Sequence, residues 1–261
     1  MDQSRTRSLL LGAGGLVGVV ALWWLLALTL LSGHHVPTPV EVVRAFREDG
    51  WEFYSDQFGV TVREAVQGFL VGTVSAIVLS AVVLLLPVAE AVVMQVAVIT
   101  YCIPVVAIAP VLSIVIGAPE AGEPSGTAVA LAALSVFFTT VVGSVLGFRS
   151  ADRTSLDVVQ VYGGSRWQQL RKVQLVAALP AIVGALQIAA PAAFLGAILG
   201  EFSGGGVEQG VGPALVQAQT TLNEGTAWAI GLACALVAGI GYAAFGLVGR
   251  LVTPWSKGAP G

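Results

Sequence analysis

The sequence predicts an all-α membrane protein of six transmembrane helices with both termini in the cytoplasm, and three observations carry that reading. Of 261 residues, 56% are hydrophobic and only 10% are Asp, Glu, Lys or Arg, against about 25% charged in soluble domains. The mean hydropathy is +0.87, and six uncharged stretches reach the roughly 20 residues that a bilayer core demands of a helix. Basic residues gather in alternate loops, which orients the chain. The same numbers exclude other classes. A net charge of -3 with scattered Lys and Arg leaves no footprint for nucleic acid. Cys102 and Cys234 lie inside apolar runs and form neither a disulfide framework nor a CxxC motif. Disorder is incompatible with this hydrophobicity.

The first span, residues 9–31, follows Arg5 and Arg7. It is longer than a signal-peptide core of about 7–15 residues, and no small-x-small cleavage site follows at Leu31-Ser32-Gly33, so it is read as an uncleaved helix within an N-terminal segment 1–36. The segment 37–58 carries Val40, Val43, Phe46 and Trp51 at near-helical spacing after Pro37-Thr38-Pro39. It is expected to be a short external helix in the interface, with Trp51, Phe53 and Tyr54 at headgroup level. Five further spans, 66–86, 91–117, 127–148, 181–199 and 227–252, make a core over 59–252, followed by a cytoplasmic tail at 253–261. Arg63 and Glu64 are a polar lead-in to the second span. Pro104 and Pro110 each remove a helical hydrogen bond, so the third span is expected to kink at both. Residues 118–126 form a short external loop.

With the N-terminus inside, Arg5, Arg7, Arg149, Arg153, Arg166, Arg171, Lys172, Arg250 and Lys257 fall on the cytoplasmic face, nine of the 12 basic residues. Glu41, Glu48, Asp49, Glu52, Asp56, Glu120, Glu123, Glu201, Glu208 and Glu224 fall on the opposite face, and Glu90 sits in a tight inner turn. Gly-xxx-Gly pairs at Gly14/Gly18, Gly68/Gly72, Gly143/Gly147 and Gly196/Gly200 suit close helix packing in lipid.

The loop 149–175 is the one sizeable cytoplasmic segment. Leu156, Val159, Val161 and Tyr162 mark an apolar face on a short helix that Gly163-Gly164 ends. Ser165 and Gln168 are spaced as a capping box that opens a second helix toward Pro180. Two short helices meeting at a glycine elbow, with apolar side chains outside the lipid, suit either a partner protein or the lipid headgroups.

Along the spans, Gln187 is a polar group that faces another helix or a transport path. Glu201 either gates that path or marks the water boundary, and Pro104 shapes the third span. His34 and His35 are adjacent, without an acidic residue at ligand spacing, which argues against zinc. The glycine cluster Gly204-Gly205-Gly206 and Gly210-Val211-Gly212 lacks the Lys and Ser/Thr of a phosphate-binding loop, so ATP hydrolysis is not expected of this chain.

The spacing Asp157-Val158-Val159-x3-Gly163-Gly164-Ser165-x-Trp167, then Val173-x-Leu175 and Ala178-Leu179-Pro180, resembles the EAA loop of ABC importer permeases. It is most similar to the nitrate/sulfonate/taurine-type branch, whose members tend to read E-A-A-x3-G-A-S-x-W and V-x-L-P-A-A-L-P. Pro37-Thr38-Pro39 resembles that branch's P-S-P. Ile103-Pro104, Ala107, Pro110 and Gly117 resemble its I-P-x-x-A-x-x-P…G segment, and Val136-Phe137-Phe138 and Glu201 fall where the family has such residues. The likeness covers about residues 37–252. Asp157-Val158-Val159 stands in place of Glu-Ala-Ala, which keeps the carboxylate and makes a bulkier face, and Val176 stands where a Pro is common.

The resemblance implies a type I ABC importer permease fold in the cell membrane. It implies partners: a cytoplasmic ABC ATPase dimer that binds the ATP and Mg, a second permease subunit (the same or a different chain), and an external substrate-binding protein. It further implies that Asp157, Val158, Val159, Tyr162, Gly163, Gly164, Ser165, Arg166 and Trp167 couple to the ATPase, with Pro104, Gln187 and Glu201 along the translocation path. A secondary transporter is the competing reading. It would show inverted repeats and buried ionisable residues, and the sequence displays neither. A membrane enzyme would show a metal motif, nucleophile elbow or intramembrane carboxylate pair, and none is legible.

Overall fold

A computed structural model of the chain describes residues 3–31, 35–120, 123–203 and 208–255. Ser32–His34, Gly204–Gly206 and Lys257 lie outside these residues, and the side chain of Arg5 is likewise not described. Among the described residues the regular elements are helical: α1 (Gln3–Leu28), α2 (Pro39–Leu85), α3 (Glu90–Cys102), α4 (Val105–Ile116), α5 (Gly126–Arg149), α6 (Arg153–Val161), α7 (Arg166–Gln169), α8 (Leu175–Ser203), α9 (Val211–Thr220) and α10 (Glu224–Val252). A turn of 3-10 helix, Pro87–Ala89, precedes α3, and a π-helical stretch, Leu170–Gln174, joins α7 to α8.

Among the described residues, four helical runs are long and apolar enough to cross a membrane: Pro39–Leu85, Gly126–Arg149, Arg166–Ser203 and Glu224–Val252. The bent pair α3 and α4 makes a fifth if counted as one span. Within α1 the apolar stretch Gly14–Leu28 is shorter.

Two expectations change here. The third span is not a helix kinked at two prolines. It is broken once, with α3 and α4 at 97°. Pro104 forces the preceding Ile103 out of the α region, to φ -71 and ψ 123, and Pro104, itself extended (φ -62, ψ 110), is the N-cap of α4. Pro110 lies inside α4 without a break. In the segment 37–58, the helix runs on into the second span, interrupted only at Gly50 (φ 79, ψ 158). Trp51 is 76% exposed, but Tyr54 is buried and donates a 2.8 Å hydrogen bond to Asp49 Oδ2. Tyr54 packs on Phe46 with ring centroids 4.4 Å apart, which removes it from the expected belt of interfacial aromatics.

The chain divides into two compact units. The first comprises Met1–Ser55 and Ala214–Cys234. Here Thr38 and Glu41 cap the start of α2 reciprocally, with Thr38 N donating to Glu41 Oε2 at 2.6 Å and Glu41 N to Thr38 Oγ1 at 3.4 Å. Asp49 Oδ1 accepts from Thr226 Oγ1 at 3.0 Å, and Trp23 stacks on Trp228 at 5.6 Å. His35, in a left-handed conformation (φ 59), pairs with Glu224 beside a cavity of about 620 Å³.

The second unit comprises Asp56–Pro213 and Ala235–Gly261. Its centre is the pairing of α5 with α8, made close by glycine. A Cβ on Gly200 would stand 2.4 Å from Ala128 Cα, and one on Gly196 2.8 Å from Ala132 Cα. Gly143 and Gly147 bring α5 against Ala185 and Ala178 of α8, and Gly68 and Gly72 bring α2 against Ala132 and Ala133 of α5. These are three of the four Gly-xxx-Gly pairs. At the fourth, Gly14 and Gly18 have no atom within 4 Å of a built Cβ. In lipid, where burial of apolar surface between helices gains little, such backbone approach is the main source of helix attraction.

Candidate coupling loop and transport path

Asp152 opens α6 by accepting the Ser155 backbone N–H at 3.2 Å. The helix ends in a Schellman motif: Gly164 N donates to Val159 O at 2.8 Å and Gly163 N to Gln160 O at 2.9 Å. Gly163 has φ 75, a left-handed conformation that glycine adopts without penalty. Gly164 is needed for space, because a Cβ there would lie 2.4 Å from Val159 Cγ1.

Ser165 then caps α7. Its N–H donates to Gln168 Oε1 at 2.9 Å, and its Oγ accepts from Gln168 N at 3.4 Å, forming the capping box expected from the sequence. Gln169 Nε2 donates to Leu156 O at 3.2 Å and ties the two short helices together. Replacement of Ser165 by Ala is expected to weaken the first turn by about 1 kcal/mol. Faster hydrogen exchange of the Trp167 and Gln168 amides, with α8 unchanged, would report it.

The elbow presents its apolar side chains outward. Val161 is 83% and Tyr162 88% exposed, Val158 and Trp167 are exposed, and Leu156 and Val159 are half-buried. Asp157 and Arg166 are exposed beside them, giving a polar rim. The loop is anchored to the helices behind it. Ser150 Oγ donates to Ala177 O at 3.2 Å, Arg149 pairs with Glu90, and Leu170 is buried with Phe148, Ala178 and Ile182. Glu90, read from sequence as a topological marker, thus holds the end of α5.

The three path residues are not brought together. Pro104 is exposed at the break between α3 and α4. Gln187 is half-buried, lining a cavity of about 210 Å³ with Pro180, Gly184, Gly246 and Arg250, and its amide fills the space beside Gly246. Glu201 does not mark a water boundary: it is 3% exposed, accepting from Thr61 Oγ1 at 2.5 Å and Gly212 N at 2.7 Å.

Glu64, one turn beyond Thr61, is 1% exposed and interacts with Glu201. A buried carboxyl pair is therefore present, although its members stand 137 positions apart in the sequence. The signal in the sequence is a run of polar residues, Gln57, Thr61 and Glu64, spaced to share one face of α2. Among the described residues, no group of three or more His, Cys, Asp or Glu is placed to hold a metal ion.

The described residues form helices, several of them long and apolar enough to cross a membrane, and an outward-facing, glycine-hinged loop. Residues 68–257 match the family described as "Binding-protein-dependent transport system inner membrane component", and the chain belongs to that family. It is 31% identical over 213 residues to a probable ABC transporter permease protein of Haemophilus influenzae, a match covering 79% of this chain and 82% of that protein. It is 33% identical over 154 residues to a riboflavin transport system permease protein of Chloroflexus aurantiacus, covering 59% of this chain and 54% of that protein. A putative aliphatic sulfonates transport permease protein of Bacillus subtilis is 26% identical over 205 residues, covering 77% and 71% respectively. The chain is thus an ABC importer permease of the branch that its sequence resembles, a multi-pass protein of the cell membrane and a transport subunit.

Proposed function

We propose that this chain forms the translocation path for a small solute in an ATP-driven importer, coupled to a separate ATPase through residues 149–175. The observation that carries the proposal is the elbow itself. Val158, Val161, Tyr162 and Trp167 stay exposed on a backbone fixed by a Schellman motif, a capping box and the Gln169–Leu156 bond. A rigid apolar knob with a polar rim has the composition of a protein interface.

In this reading the chain crosses the membrane six times, with both termini and the elbow in the cytoplasm. Two permeases, identical or different, pair side by side. ATP and Mg are held by the ATPase dimer, whose closure draws the two elbows together and turns the paired bundles outward to receive solute from an external binding protein. Val158, Val159 and Tyr162 fill the ATPase cleft, Asp157 and Arg166 make polar contacts at its edge, and Gly163, Gly164, Ser165 and Trp167 set the angle of the knob. Pro104, Gln187 and Glu201 belong to helices that border the path.

Riboflavin and aliphatic sulfonates, named for two relatives, differ in size and charge. Choice of cargo therefore falls mainly to the binding protein. A photo-crosslinking amino acid at Tyr162 tests the coupling surface. The expected product is a covalent adduct with a nucleotide-binding ATPase subunit, identified by mass spectrometry. Adducts with lipid alone would refute the docking role.

A further inference from the structure

Gln57, Thr61 and Glu64 follow one another along a single face of α2 and meet Glu201 in the last turn of α8. Between them they hold the start of α9. Gly210 N donates to Gln57 Oε1 at 2.7 Å, Val211 N to Thr61 Oγ1 at 2.9 Å and Gly212 N to Glu201 Oε2 at 2.7 Å. These amides have no partner within their own helix. Glycine makes the approach possible: a Cβ on Gly210 would lie 2.6 Å from Glu201 Cδ, and one on Gly212 2.7 Å from Glu201 Cβ.

The hydrogen-bond inventory limits the charges. Thr61 Oγ1 lies 2.5 Å from Glu201 Oε1 and 3.3 Å from its other acceptor, Gln57 O, while Glu201 Oε2 accepts the Gly212 amide proton. Glu201 Oε2 is therefore an acceptor whether or not the pair carries a proton. Glu64 Oε1 likewise accepts from Ser125 N at 2.6 Å. Glu64 Oε2 is buried and has no hydrogen-bond donor, although Glu64 interacts with Glu201. Among the described residues, the groups acting on the pair are Thr61 from α2, Ser125 at the start of α5, Gly212 from α9 and the two carboxyls themselves, with no Lys, Arg or His among them. Arg63 and Glu208, the nearest charged residues in sequence, are exposed. Two uncompensated negative charges in one buried place are far more costly than one.

We propose that Glu64 and Glu201 form a proton-binding site that holds one proton, shared between the two carboxyls. The bound proton leaves Glu201 free to cap the first turn of α9, so α2, α8 and α9 are latched together only while it is present. Release of the proton to solvent at alkaline pH leaves two carboxylates facing each other and opens the latch.

Infrared spectroscopy of the full-length protein in lipid nanodiscs tests this directly. At neutral pH the wild type is expected to show the carbonyl stretch of a protonated carboxylic acid. That band should be absent in Glu64→Gln and lost from the wild type at alkaline pH. Glu64→Gln reproduces the neutral partner, so its Tm at neutral pH should match wild type. On moving to alkaline pH the wild type should lose about 5 °C or more, and the variant should keep its Tm. A wild-type spectrum without the band at neutral pH would overturn the proposal, and that arm needs no variant to fold. A band that persists in Glu64→Gln, or an equal alkaline loss of Tm in both proteins, would overturn it as well.

Discussion

Gly163→Pro is expected to abolish solute uptake and its stimulation of ATP hydrolysis, while the chain still inserts in the membrane. Gly163 sits at φ 75, with nothing within 4 Å of a built Cβ. The position therefore has room for a side chain but not the backbone angle for one. Proline fixes φ near -65° and removes the N–H that bonds Gln160 O, so the Schellman turn cannot form and α6 cannot reach Ser165. Other substitutions should be graded. Asn enters the left-handed region with little penalty, whereas Ala pays roughly 1–2 kcal/mol there. Uptake should fall in the order Gly, Asn, Ala, Pro.

Tyr162→Asp tests the surface rather than the hinge. Tyr162 is almost fully exposed, so the folded protein should not notice the change, but a charge would sit where an apolar cleft is expected. Reconstitution with the ATPase and binding protein in proteoliposomes measures both variants. Normal coupling in both would contradict the docking role of the loop, whatever the fate of the buried carboxyl pair.

What could be read in the sequence follows from how local each feature is. The elbow was legible because its parts lie within a few residues. Ser165 and Gln168 bond each other, Gly163 and Gly164 bond Gln160 and Val159, and each spacing has its own local geometry. The apolar helices were legible from length and hydropathy. The break after Cys102 was half legible: Pro104 announced a disturbance, but Pro110 in the next helix announced another that did not occur. At Pro104 the preceding Ile103 leaves the α region and the helix breaks, whereas α4 runs on through Pro110.

The roles of Glu64, Glu90 and Glu201 were not legible. Each depends on a partner far along the chain, namely Ser125 and Glu201, then Arg149, then Thr61 and Gly212. A count of charges by loop treats every carboxylate as a surface group. The glycine pairs sit between these cases. Spacing identified all four as capable of close packing, and only tertiary placement separates the three that pack from Gly14/Gly18.

That separation yields the largest stability effects expected for single substitutions. Gly200→Ala should destabilise the protein by about 3 kcal/mol or more. The added Cβ meets Ala128 Cα at 2.4 Å and Ala128 N at 2.8 Å, which are backbone atoms of α5 that no rotamer change can move. The two helices must therefore part. Doing so unseats the small-residue seam along Gly196 and Gly200 and pulls Glu201, the next residue on α8, away from Thr61 and Gly212. Gly14→Ala is the control. It enters open space in α1, and alanine is the better helix former by about 1 kcal/mol, so its effect should be neutral or slightly stabilising. Thermal unfolding of the purified protein in one detergent, followed by size-exclusion profile, compares the two. If Gly200→Ala melted with the wild type, the α5–α8 seam would not be the close backbone contact described above. If Gly14→Ala instead fell with it, α1 would have to be tightly packed along the same face.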